Sequence, residues 1–71
     1  MNAEKKTCNS LIQLDNGSNY EIVESISTIE MYMNDKFIRN STFITLHFPD
    51  GLECKIKKGK ICAFYESSEA D

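Results

Sequence analysis

Residues 54–62 read Cys-Lys-Ile-Lys-Lys-Gly-Lys-Ile-Cys, and the way the chain turns at Gly59 decides the fold. Two cysteines around four lysines fit a thiol or metal site, a basic finger for nucleic acid, or the tip of a hairpin. Each of the chain's 3 glycines closes a turn-like triplet: Asp15-Asn16-Gly17, Pro49-Asp50-Gly51 and Lys57-Lys58-Gly59. A three-residue hairpin loop is a type I turn followed by a left-handed residue in a bulge, and glycine takes that conformation without steric cost. Pro49 suits the first turn position because its φ is already fixed.

Face patterns support this loop. Pairing Ile12 with Tyr20 puts Ile12, Leu14, Tyr20 and Ile22 on one face. A two-residue loop would set Ile12 and Leu14 beside Asn19 and Glu21. Pairing Phe48 with Leu52 gathers Ile44, Leu46, Phe48, Leu52, Cys54 and Ile56 on one side, leaving Thr45, His47, Glu53 and Lys55 on the other. Such alternation marks half-buried antiparallel strands. The expected strands are 10–14, 18–24, 42–48, 52–56 and 60–65. The fold class is all-β with an α+β variant, a small antiparallel meander barrel or curled sheet of five or six strands. In the third hairpin the same rule sets Ile56 opposite Lys60 and Cys54 opposite Cys62, two thiols side by side on the core face. The alternative loop, Lys58-Gly59 alone, forces Lys58 to a positive φ that lysine seldom adopts.

Residues 25–41 are ambiguous. Ser27-Thr28-Ile29-Glu30 has the form of a capping box, with Ile26 and Met31 at the hydrophobic-staple positions. Ile29, Tyr32, Met33 and Phe37 would then share a helical face, giving one short helix near 27–36. The alternation Ile29, Met31, Met33 is also strand spacing, and the all-hairpin surroundings favour a strand or irregular segment. The stretch 60–65 is apolar on both sides after Lys60, so it needs cover on both faces, from the barrel itself, a second subunit in a homodimer, or a partner.

The 71 residues make a single domain, 1–71, with an ordered core at about 9–66 and frayed ends at 1–8 and 66–71. A chain this small hides only about 60% of its unfolded surface, which disfavours the deep pocket an enzyme needs. Three cysteines cannot all pair within one chain. With no apolar leader at the N-terminus, they read as reduced thiols in a cytoplasmic protein. No apolar run approaches the roughly 18 residues of a membrane span. The net charge is −3, and four of the 8 bases lie in 54–62 without an acid, leaving all 11 acids to face four bases elsewhere. The expected molecule has a basic hairpin tip, Lys55, Lys57, Lys58 and Lys60, on an acidic body.

The candidate chemistries are weak. Cys8, Cys54, Cys62 and His47 lack the close ligand pairs of a zinc site, and His47 points away from Cys54 in this register, which leaves the thiol without a base. There is no phosphate-cradling glycine loop. No metal, no cofactor and no catalytic residue is expected. One arginine and an acidic body argue against strong nucleic-acid binding. Protein binding fits better. Phe37, Ile38 and Arg39 sit in a polar loop where no turn needs them, and such residues are common interface anchors. Glu21, Glu24, Glu30 and Asp35 form an acidic set suited to a basic partner.

Two resemblances bear on function. Leu14-Asp15-Asn16-Gly17, Ile26-Ser27-Thr28-Ile29-Glu30 and Thr42-Phe43-Ile44-Thr45-Leu46 resemble, over residues 11–53, the pattern of the small flagellar FlbD/SwrD proteins. That implies a flagellar accessory role. The chain differs from them in extra N-terminal residues, a longer 31–41 segment and an unmatched C-terminus. By type, a short acidic chain rich in Lys, Asn, Ile and Ser resembles the small early inhibitor proteins of phage host takeover. Some of these mimic DNA and occupy the nucleic-acid site of a host protein such as histone-like HU or RNA polymerase. The expected function is therefore a non-enzymatic, protein-binding inhibitor of that kind. The alternatives are the flagellar role or a small RNA-binding barrel using the lysine hairpin.

Overall fold

The computed structural model describes residues 6–68. Among them the chain forms strand β1 (Ser10–Leu14), strand β2 (Asn19–Ile22), helix α1 (Ile26–Asn34), strand β3 (Phe43–His47), strand β4 (Glu53–Lys57), a 3-10 turn at Lys58–Lys60 and strand β5 (Ile61–Glu66). The strands lie in two antiparallel sheets, β2-β1-β5 and β3-β4, and no barrel closes. The class is thus β-rich with one short helix.

The first two hairpins form as their sequence requires. Leu14 N–H donates to Ser18 O (2.8 Å) and Gly17 N–H to Leu14 O (3.0 Å), with Ile12 opposite Tyr20. Phe48 N–H donates to Leu52 O and Gly51 N–H to Phe48 O, both at 2.9 Å, and Leu46 lies opposite Cys54 and Ile44 opposite Ile56. Gly17 (φ 90°) and Gly51 (φ 95°) take the left-handed conformation. Each turn is braced by its own Asx oxygen: Asn16 Oδ1 accepts from Ser18 N–H and Asp50 Oδ1 from Leu52 N–H. Ile12, Leu14, Ile22, Ile44, Leu46, Cys54 and Ile56 meet in the core with Ile29 and Ile61. Tyr20 and Leu52, at the mouths of their hairpins, stay exposed.

The third hairpin does not form. β5 runs beside β1, not β4, with Ile12 opposite Phe64 and Gln13 opposite Ala63. Gly59 has no positive φ, and the 3-10 turn carries the chain from one sheet to the other. The register slips between Gln13 and Leu14, so that Leu14 faces Ile61. Cys62 is the extra residue of this bulge, exposed at the surface with its thiol donating to Leu14 O at 3.4 Å. Cys54 is buried on β4. The expected Cys54–Cys62 pairing is therefore wrong, and so is a meander running on through 60–65.

The helix wins in the ambiguous segment. Its N-cap is Ser25, two residues before the expected capping box, and Ser25 Oγ accepts from Thr28 N–H. Ile29 is buried while Tyr32 and Met33 pack against the core, and α1 lies against β5, covering part of one of its faces. Met31 is 59% exposed, so the Ile26–Met31 staple does not close. The Ile29-Met31-Met33 alternation was strand-like only in appearance, because Met31 points to solvent.

The ordered contacts extend past both expected limits. Lys6 N–H donates to Pro49 O (2.8 Å) and Ser67 N–H to Asn9 O (3.1 Å), and Cys8 and Ser67 are buried. The remaining residues expected to fray, 1–5 and 69–71, lie outside those described.

Candidate interaction surface

The segment 35–42 links α1 to β3, and most of its geometry is set by the stretch expected to be a basic tip. Lys58 is buried, 8% exposed. Its Nζ donates to Asp35 O (2.9 Å) and Ile38 O (2.8 Å), and its backbone N–H donates to Thr42 O (3.0 Å). A buried ammonium is tolerable only where carbonyl dipoles replace its water, and the loop supplies two. Next along, Gly59 N–H donates to Asn40 O (2.9 Å). A Cβ on Gly59 would stand 2.8 Å from Asn40 Cβ, so glycine is needed here for close approach and not for backbone conformation.

The loop also holds itself. Asp35 N–H donates to Tyr32 O (3.4 Å), ending the helix, and Ile38 N–H donates to Asp35 O (3.1 Å). Asp35 Oδ1 accepts from Phe37 N–H at 2.9 Å, an Asx turn. Farther on, Thr42 N–H donates to Arg39 O (2.9 Å). The two hydrophobic residues of the loop part company. Ile38 packs on the core whereas Phe37 is 95% exposed. Arg39 and Lys36 are exposed beside it.

The remaining lysines do not make a tip. Lys60 sits 3.4 Å from Asp15 and Lys55 3.9 Å from Glu53, both pairs exposed, and Lys57 Nζ lies 5.7 Å from the centre of the Phe43 ring. With Lys58 buried and Lys60 near an acid, the basic finger dissolves into separate contacts.

The acidic set also changes. Glu21 and Glu30 are exposed, and Asp35 is half-buried. Glu24 serves the fold: its Oε1 accepts from His47 N–H (2.8 Å) and its Oε2 lies 2.6 Å from His47 Nδ1. With Val23 N–H donating to His47 O, this clamps the end of β2 to β3. The hydrogen bond from His47 N–H to a residue 23 positions away leaves no local sequence signal.

The His47–Glu24 pair has the look of a base and its orienting acid, but the nearby thiol is unsuited to attack. Burial pushes the Cys54 thiol above its ordinary value of 9.0, and the Glu24 carboxylate raises it further. An activated cysteine needs the opposite shift. Among the described residues no three His, Cys, Asp or Glu side chains group as metal ligands, and no helix is long and apolar enough to cross a membrane.

One recess was not visible in the sequence. Between the β1–β2 hairpin and β4 lies a shallow groove of about 460 Å³, lined by Leu14, Tyr20, Phe48, Cys54 and Ile56 with Glu53 and Lys55. The rings of Tyr20 and Phe48 meet edge to face, 5.7 Å between centres.

Compared with known protein families, curated proteins and solved structures, the chain matches none.

Proposed function

We propose that this chain is a non-enzymatic protein-binding module whose principal contact is the Phe37 loop. One observation carries the reading: a phenylalanine 95% exposed on a loop whose backbone is tied to the 3-10 turn by four hydrogen bonds from Lys58 and Gly59. A loop already held in shape loses little conformational freedom on binding, and burying a phenylalanine in a partner's pocket is worth about 1.5–3 kcal/mol. Ile38 supports the loop from beneath, and Arg39 adds a donor at the rim.

The charge of the exposed surface supports a basic partner. Glu21 and Glu30 are exposed on a chain of net charge −3, which suits a basic protein. In its narrower form the proposal is a phage-type inhibitor that takes the nucleic-acid site of a host protein such as HU or RNA polymerase. Glu24 is not part of that surface.

Binding to purified HU and to RNA polymerase, measured at low and moderate salt, tests both levels. The narrower form expects capture that weakens as salt rises, with Phe37→Ala lowering affinity at least about tenfold at unchanged stability. Retention of a labelled oligonucleotide by the protein alone would sink the mimic. Equal binding by wild type and Phe37→Ala would remove the loop from the contact.

A further inference from the structure

The outer edge of β4 offers a second kind of surface. Leu52 O accepts from Phe48 N–H, and antiparallel bonding alternates, so the pairs Leu46–Cys54 and Ile44–Ile56 carry the bonds between β3 and β4. The backbone groups of Glu53, Lys55 and Lys57 therefore point the other way, and among the described residues no strand neighbours β4 on that side. On β3 the equivalent outward groups at His47 are taken by Glu24 and Val23. Among the described residues, nothing hydrogen-bonds to the outward groups of β4. The groove of Leu14, Tyr20, Phe48, Cys54 and Ile56 lies along this same edge.

We propose that β4 accepts an added strand from a partner: an extended peptide in which apolar residues alternate with acidic ones. The pleat dictates the pattern. Partner residues opposite Cys54 and Ile56 point into the groove, against Leu14, Tyr20 and Phe48, and must be apolar. Those opposite Lys55 and Lys57 lie on the outer face beside two exposed ammonium groups, where carboxylates pair and ammonium groups repel, whereas the residue opposite Glu53, itself 3.9 Å from Lys55, must not be acidic. Lysines on an edge also discourage indiscriminate sheet growth, but a guarded edge has no need of an apolar groove beside it. Backbone bonding with alternate side-chain pockets is the common mode of strand addition. This surface differs from the Phe37 loop in place and in the charge it selects.

A blocked synthetic heptapeptide of alternating Glu and Val, with Thr in place of the Glu that would lie opposite Glu53, titrated into the full chain and followed by amide chemical shifts and exchange, tests the proposal. Binding is expected to slow exchange at the amides of Glu53, Lys55 and Lys57. N-methylation of the peptide's β4-facing amides should abolish binding. The double variant Lys55→Glu with Lys57→Glu is expected to bind about tenfold more weakly and to prefer a Lys/Val peptide, a reversal that a loss of fold would not produce. Phe37→Ala should leave this affinity unchanged, so the two surfaces stand or fall separately. Equal wild-type affinity for the Lys/Val peptide would overturn the proposal. So would binding without protection of those three amides, or their protection by self-association in the absence of peptide.

Discussion

At Gly51 the chain reverses within a single hairpin: a proline starts the turn, Asp50 braces it, and glycine supplies a φ of 95°. At Gly59 a triplet of the same outline does none of this. Lys58 turns inward to two carbonyls of a distant loop, and Gly59 makes room for Asn40. The first turn is encoded by its own residues. The second is encoded by what it touches. Glycine is required in both, for conformation in one and for clearance in the other, and the chain passes from one sheet to the other because the second turn binds a third segment.

The contrast can be broken at several points. The largest effect belongs to Lys58→Met, which keeps the stem and deletes the ammonium. It removes two charge-assisted hydrogen bonds and takes from Ile38 O its lysine donor, while Asp35 O keeps Ile38 N–H; loss of bonds of this kind costs about 3 kcal/mol, read as a lower midpoint in urea. The same variant should weaken partner binding through Phe37, since the loop loses its anchor. Gly59→Ala comes next, at about 2 kcal/mol, because its methyl meets Asn40 Cβ at 2.8 Å. It should be less than additive with Lys58→Met, as both act on one loop. Gly51→Ala and Gly17→Ala meet nothing within 4 Å and pay only left-handed strain, about 1 kcal/mol each. If Gly59→Ala proved as mild as these, clearance would not be its role.

The smallest effect is one of pH. Cys54 keeps its proton in the folded chain above 9.0, chiefly through burial and then through Glu24, while in the unfolded chain it ionises at the ordinary value. Its contribution to stability is thus complete below that value and declines as pH rises through the window between unfolded and folded pKa. Urea midpoints across alkaline pH should fall less steeply in Cys54→Ala than in wild type.

These differences explain what could be read from the sequence. Ile12, Leu14, Ile22, Ile44, Leu46 and Ile56 alternate within hairpins whose glycines set the register, so local spacing identified those core positions. Phe37 was legible as a possible anchor because no turn required it, though its separation from Ile38 depended on the core beneath. The rest rests on non-local bonds. Lys58 resembles any surface lysine until Asp35 and Ile38 are brought beside it. Glu24 resembles any surface acid until His47 arrives from the next strand pair. α1 is obscured in the sequence because Met31 imitates strand alternation and the cap lies at Ser25, outside the Ser27–Glu30 motif. The β4 groove is lined by residues of both hairpins, which no short window of sequence brings together.

Mild oxidation of the native protein, followed by mapping of its disulfides, distinguishes a 54–62 segment that crosses between sheets from one that folds back. If it crosses, Cys54 stays reduced, buried on β4, while exposed Cys62 links one molecule to another. An intramolecular Cys54–Cys62 bridge, formed readily with the native fold intact, would mean that the third hairpin exists and would contradict the crossing.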